Sequence, residues 1–275
     1  MKPPIEVAHL FPIIDEKLVA LLKTLTPAEW QLITLAKPWT IKDVVAHLLD
    51  GNVRAISAKQ GHDGPPAPAI HSYTELVAFL NDLNASWVKA MQRVGTSLLI
   101  ELLEITGKQY SSLMAAAPLF ETARFSVAWA GEETSVNWFH MAREYTEKMH
   151  HQLQIRHALN KEEDLLTPGL FYPFINTLMY GIPHALRNTI AADDTIIQIT
   201  VSGNAGGNWF ATTRAGKWIL SSDEQTNKIA AHVIIPANDA WKLFTKGISP
   251  RDAVLQKHGD EYLCNAVVEM IAVMA

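Results

Sequence analysis

Near Ala191 the spacing of apolar residues changes period, and this change constrains the fold more than any other feature of the chain. Before it, apolar side chains recur every three to four residues in long runs, the pattern of helices that bury one face. After it, the run DDTIIQITVSGNAGGNWFATTRAGKWILSS alternates apolar and polar residues between glycine-containing turns, the pattern of paired strands. A chain of 275 residues is also long for one core. The expectation is a helical domain over residues 1–190 and a smaller α+β domain over residues 191–275.

Within the helical part, helix one reads from about Phe11, and Thr26, Pro27 and Glu29 form a start signal for a short helix ending near Leu32. Thr40 caps helix two, with Asp43 at its third position and Ile41, Val44, Val45, Leu48 and Leu49 on the buried stripe. The Gly/Pro-rich segment from Gln60 to His71 ends that pattern. Helix three opens after Ser72 and reads through Val94 to Ile105, with a bend near Gly95, and Lys108 to Glu133 reads as a structured connection to helix four near Ser135. Four helices with two long connections fit a four-helix bundle. A shorter helix then covers Tyr172 to Ile190.

Beyond Ala191, strands are expected at Thr195–Ser202, Asn208–Thr213, Lys217–Ser221 and Ala231–Ile235. Asn238 and Ser249 offer helix starts, HGDE reads as a polar turn, and a last helix runs to Ala275.

Composition narrows the function. A net charge of -5 and a pI of about 6.1 argue against nucleic acid and anionic membranes as partners. No apolar stretch approaches the roughly 20 residues that cross a bilayer, and the N-terminus lacks the pattern of a secretory leader, so a cytoplasmic chain without membrane insertion is expected. Cys264, the one cysteine, sits in an apolar helical pattern and reads as a buried thiol. Any metal must be held by His, Asp or Glu.

The stretch from Asn137 to Ala158 concentrates such residues on one helix. Glu147 and His151 are four apart, which stacks them on one face, and His140 and Glu144 extend the stripe. A solvated helix face has the same appearance. His47, at the edge of the buried stripe of helix two, adds a second imidazole. Two imidazoles and a carboxylate suit a catalytic divalent site with open positions, zinc being the default metal. Asp50, Asn52, Glu144, His150 and Gln154 are candidates for supporting or substrate contacts. His150, three residues after Glu147, leaves the choice of second histidine open on spacing alone.

The segment PWTIKDVVAHLLDGN resembles the Trp-Ser/Thr-x-x-Asp/Glu-x-x-x-His-Leu signature of DinB-like four-helix metalloproteins, in particular the mycothiol-dependent maleylpyruvate isomerase N-terminal branch. EYTEKMHHQLQIRHAL is similar to that branch's Glu-x-x-x-His-x-x-Asp/Gln-Ile/Leu-Arg helix, and residues 192–275 resemble the sterol-carrier-like domain that often follows it. The resemblance implies His47, Glu147 and His151 as metal ligands; Ile155 and Arg156 favour His151 over His150. Gln154 stands where these isomerases commonly carry aspartate. The implied activity is that of a metal-dependent transferase or isomerase acting on a small molecule. The metal would activate a low-molecular-weight thiol such as mycothiol, bacillithiol or glutathione. Two alternatives stay open: a metal-dependent hydrolase on the same residues, and a non-catalytic lipid or small-molecule carrier walled by Trp209, Trp218, Trp241 and Phe244. Homodimerisation is also left open.

Overall fold

The computed structural model describes residues 2–64, 68–221 and 228–273. Its order is helical first and strand-rich later, as the change of period predicts. α1 (Phe11–Leu22), α2 (Ile41–Lys59), α3 (Tyr73–Met91), α4 (Thr96–Ala116) and α5 (Asn137–Ala158) form the long helical part. α6 (Pro168–Met179) and α7 (Ile182–Ala185) precede the sheet. β1 (Ile196–Ser202), β2 (Gly207–Arg214), β3 (Lys217–Ser221), β4 (Ile229–Pro236) and β5 (Gln256–Gly259) form one sheet, with α8 (Ala237–Phe244) after β4 and α9 (Glu261–Val268) after β5.

Contacts divide the described chain into two compact units. One comprises residues 7–118 and 151–161; the other comprises residues up to 6, 119–150 and 162–273. α5 is one unbroken helix that contributes residues to both.

In the first unit, Leu18, Leu22, Ile41, Val44, Leu48, Leu99, Leu103 and Ile155 share a core, so α1, α2, α4 and the end of α5 bury their apolar stripes together. α2 begins as its sequence dictates. The Asp43 amide donates to Thr40 Oγ1 at 3.3 Å while the Thr40 amide donates to Asp43 Oδ2 at 3.0 Å, a complete capping box. The Gln152 side-chain amide donates to the Ile14 carbonyl at 2.8 Å, and Arg156 Nη2 donates to the Lys17 carbonyl at 3.2 Å, tying α5 to α1.

In this unit three helical expectations need correction. The segment after Thr26 makes its expected cap, with the Thr26 amide donating to Glu29 Oε2 at 2.7 Å, but winds only the 3₁₀ turn Glu29–Gln31. Helix three does not bend near Gly95 but ends at Met91, and Gly95, in extended backbone, starts α4. α4 then continues to Ala116, well into the segment read as a connection, because Leu99, Ile100, Leu103, Gly107 and Tyr110 keep a buried stripe going.

In the second unit the sheet order is β3-β2-β1-β4-β5. β1 pairs antiparallel with β2 and parallel with β4, and the remaining pairs are antiparallel. Ile197, Ile199, Val201, Trp209, Ala211, Val233 and Ile235 are buried, matching the alternation seen in sequence. β5 falls at the HGDE segment that reads as a turn. It contributes a row of exposed side chains and joins the sheet through its backbone, so no alternation marks it. No helix starts at Ser249, where Ser249 Oγ and Asp252 close a turn at 2.7 Å instead. The last helix stops at Val268, and the final two residues of its expected span lie outside the described residues.

The aromatic residues read as carrier walls are packed. Tyr172 stacks on Trp209 with ring centroids 5.9 Å apart, and Trp209 Nε1 donates to Asn176 at 2.8 Å. Trp218 Nε1 donates to the Thr189 carbonyl at 2.9 Å, and Trp241 and Phe244 are fully buried. Among the described residues no helix is long and apolar enough to cross a membrane.

Candidate metal centre

The capping box fixes where α2 starts and therefore where His47, two turns in, comes to lie. Trp87 Nε1 donates to the Ala46 carbonyl at 2.9 Å, and the Trp39 ring lies 5.2 Å from the His47 ring, so this stretch is clamped on two sides. The His47 and His151 rings meet edge to face, with centroids 4.7 Å apart and an interplanar angle of 74°. Glu147 is one turn earlier on the helix that carries His151. One donor atom from each of His47, Glu147 and His151 lies within 4.8 Å of the others.

This donor set fits a divalent cation. A cation held there would take two imidazole nitrogens and a carboxylate oxygen at bonds of about 2 Å, and three protein ligands would leave coordination positions for a small molecule. His151 is buried, and its Nδ1 lies 2.8 Å from Gln154 Oε1. An amide oxygen only accepts, so Nδ1 carries the proton and Nε2 is the ring nitrogen with a lone pair that a cation would use. Gln154 thus sets the tautomer of a candidate ligand.

The neighbouring candidates face elsewhere. His150 Nδ1 points to the Thr146 carbonyl at 2.9 Å, one turn back on its own helix. Asn52 is buried and turned towards α4, its amide donating to Thr106 Oγ1 at 3.1 Å while its Oδ1 has no hydrogen-bond partner among the described residues. Glu144 pairs with Arg143 Nη2, which also lies 3.0 Å from His140 Nδ1. Because the guanidinium only donates, His140 accepts as neutral imidazole. Burial pushes the His140 pKa down, opposed by Glu144 and reinforced by Arg143.

Sequence reasoning gave little weight to one pair on α2. Asp50 is buried and its carboxyl is pushed up by desolvation, against the pull of Arg54 and His47 beside it. Arg54 Nη1 lies 3.5 Å from Asp50 Oδ2. Spacings of three and seven residues from His47 are the signal that would have found them.

Helices that bring two imidazoles and a carboxylate together, followed by an α+β region with a mixed sheet, define the class that the two sequence segments resemble. The chain belongs to the mycothiol maleylpyruvate isomerase N-terminal domain family, whose model matches residues 11–156. Among solved structures it is similar to the mycothiol-dependent maleylpyruvate isomerase, with a TM-score of 0.52 and 11% identity over 86% of each chain. A histidine-to-alanine mutant of that enzyme gives a TM-score of 0.51 at the same identity and coverage. No curated protein matches the sequence.

Proposed function

We propose that this protein is a divalent-metal-dependent enzyme of the thiol-dependent transferase or isomerase type, acting on a small molecule with a low-molecular-weight thiol as cosubstrate. The observation that carries this reading is the convergence of His47, Glu147 and His151 within 4.8 Å, with a hydrogen bond between His151 Nδ1 and Gln154 that sets the tautomer of that imidazole. Membership of the family supports the thiol, and mycothiol is the first choice because both solved relatives are described as mycothiol-dependent. A cation at these residues would supply a Lewis acid able to lower the pKa of a coordinated thiol. Zinc suits the mixed nitrogen and oxygen donor set.

In this reading the chain's own residues do the positioning. His47 contributes from α2, Glu147 and His151 contribute from one rigid helix, and Gln154 holds the His151 ring in orientation. Residues 1–190 serve as the metal-binding domain and residues 191–275 as a sterol-carrier-like support.

The test combines elemental analysis with a thiol-conjugation screen on the purified protein. One divalent ion per chain is expected, with thiol consumption by wild type. His47→Ala and His151→Ala are expected to lose the metal and the activity while keeping their helical circular dichroism. Wild-type protein that holds no stoichiometric metal after zinc loading would sink the reading.

A further inference from the structure

We propose that Arg54 is the anion-recognition residue of the metal centre and takes a carboxylate of the molecule bound there; this deepens the metal-enzyme reading and rests on it. His47, Gly51 and Arg54 fall on one stripe of α2, because four and seven residues bring a helix round to nearly the same angle. The rise of the helix separates the His47 and Arg54 backbones by about 10 Å. The Arg54 side chain closes much of that gap. Side chains on a helix lean towards its N-terminus, and the contact between Arg54 Nη1 and Asp50 Oδ2 at 3.5 Å places the guanidinium back at the level of Asp50, a turn from His47.

An ion pair four residues apart on a helix is ordinarily a solvated surface pair worth little. Two observations set this one apart. Asp50 is buried, its side chain 7% exposed against 46% for Arg54, so the pair has an anchored end and an open end. The surface between the arginine and the histidine is also open: Gly51 is exposed, and a Cβ built on it would meet nothing within 4 Å. A guanidinium has five donors, and the Asp50 contact engages one end of it. Nearly half of the Arg54 side chain is exposed, and the open surface at Gly51 lies between it and His47 on the same helix stripe. The chemistry that fits is a planar carboxylate, which a guanidinium binds through paired charge-assisted hydrogen bonds. That carboxylate belongs either to a carboxylate-bearing thiol such as bacillithiol or glutathione or, where the thiol is mycothiol, whose cysteine carboxyl is tied up as an amide, to the molecule being transformed, and the probes below separate the two.

The experiment uses the full-length protein loaded with cobalt(II), whose visible absorption reports its ligands. Three probes are titrated: mercaptopropionate, the uncharged mercaptopropanol of equal chain length, and succinate, which has carboxylates and no thiol. Wild type is expected to prefer a carboxylate-bearing probe. Arg54→Met should weaken that probe by at least about tenfold, the factor that even one of the two charge-assisted hydrogen bonds is worth, with mercaptopropanol binding and the ligand-free cobalt spectrum unchanged. Arg54→Lys should recover part of the loss, since it keeps charge without the fork. Loss confined to mercaptopropionate assigns the carboxylate to the thiol, and loss confined to succinate assigns it to the substrate. Loss with succinate, in a protein whose cobalt shows no sulfur charge-transfer band with either thiol, leaves the anion site standing and rejects the thiol reading. Unchanged affinity of Arg54→Met for both carboxylate probes overturns the proposal, and protein that takes up no cobalt overturns it together with the metal centre.

Discussion

At the scale of the residue, the hydrogen bond between His151 and Gln154 has the most consequence. Removing the partner of a metal-bound imidazole typically costs ten- to a hundredfold in metal affinity, so Gln154→Ala should weaken zinc binding by roughly that factor. Competition against a chelator dye measures it, and Gln154→Glu, which retains an acceptor, should lose less. His140 gives a second prediction, with a defined sign. Its ordinary pKa of 6.5 is lowered in the fold, chiefly by burial. As pH falls below 6.5 the unfolded chain therefore takes up the proton first, and stability is lost on the acid side of that value. His140→Asn, which keeps an acceptor for Arg143, should flatten the fall in urea midpoint between neutral and mildly acid pH. His184 and His232 are lowered too, so some of the slope should remain.

At the scale of the element, α2 owes both its start and its site residues to a few local choices. Thr40→Ala removes the side-chain half of the capping box and should cost about 1 kcal/mol, read as a lower melting temperature. Because the cap sets where the helix begins, the same variant should also hold metal less tightly. Much of this was legible in the sequence. Thr40 and Asp43 announce the helix start, the Val44/Leu48 stripe announces its buried face, and the four-residue step from Glu147 to His151 places both on one side of α5. Other features were not, for physical reasons. β5 is held by backbone pairing, which leaves no side-chain pattern to read. The end of α3 at Met91 is also hidden, because apolar residues run on through Val94 into α4. Which of two adjacent histidines faces Glu147 depends on where each ring finds its partner: the Thr146 carbonyl for His150, and Gln154 for His151. Arg54 looks like an ordinary surface arginine until Asp50 beside it is seen to be buried.

At the scale of the whole molecule, a cation at His47, Glu147 and His151 would join two helices that are far apart in sequence, so it would bind the folded chain in preference to the unfolded one. Free zinc at about a hundred times its dissociation constant should then add about 2.7 kcal/mol of stability, and a chelator should remove it. Differential scanning fluorimetry with and without chelator reads this as a shift in melting temperature that His47→Ala abolishes. The sheet has a consequence of another kind. β1 lies at its centre, with β2 against one edge and β4 against the other, whereas β5 is a four-residue outer strand with exposed side chains. Peripheral strands open first and central strands exchange only when the whole unit opens. In deuterated buffer the amides of Ile197, Ile199 and Val201 should therefore be the slowest of the sheet to pick up label, and those of Gln256 to His258 among the quickest. The ratio of the two rates gauges how cooperatively this half of the protein comes apart.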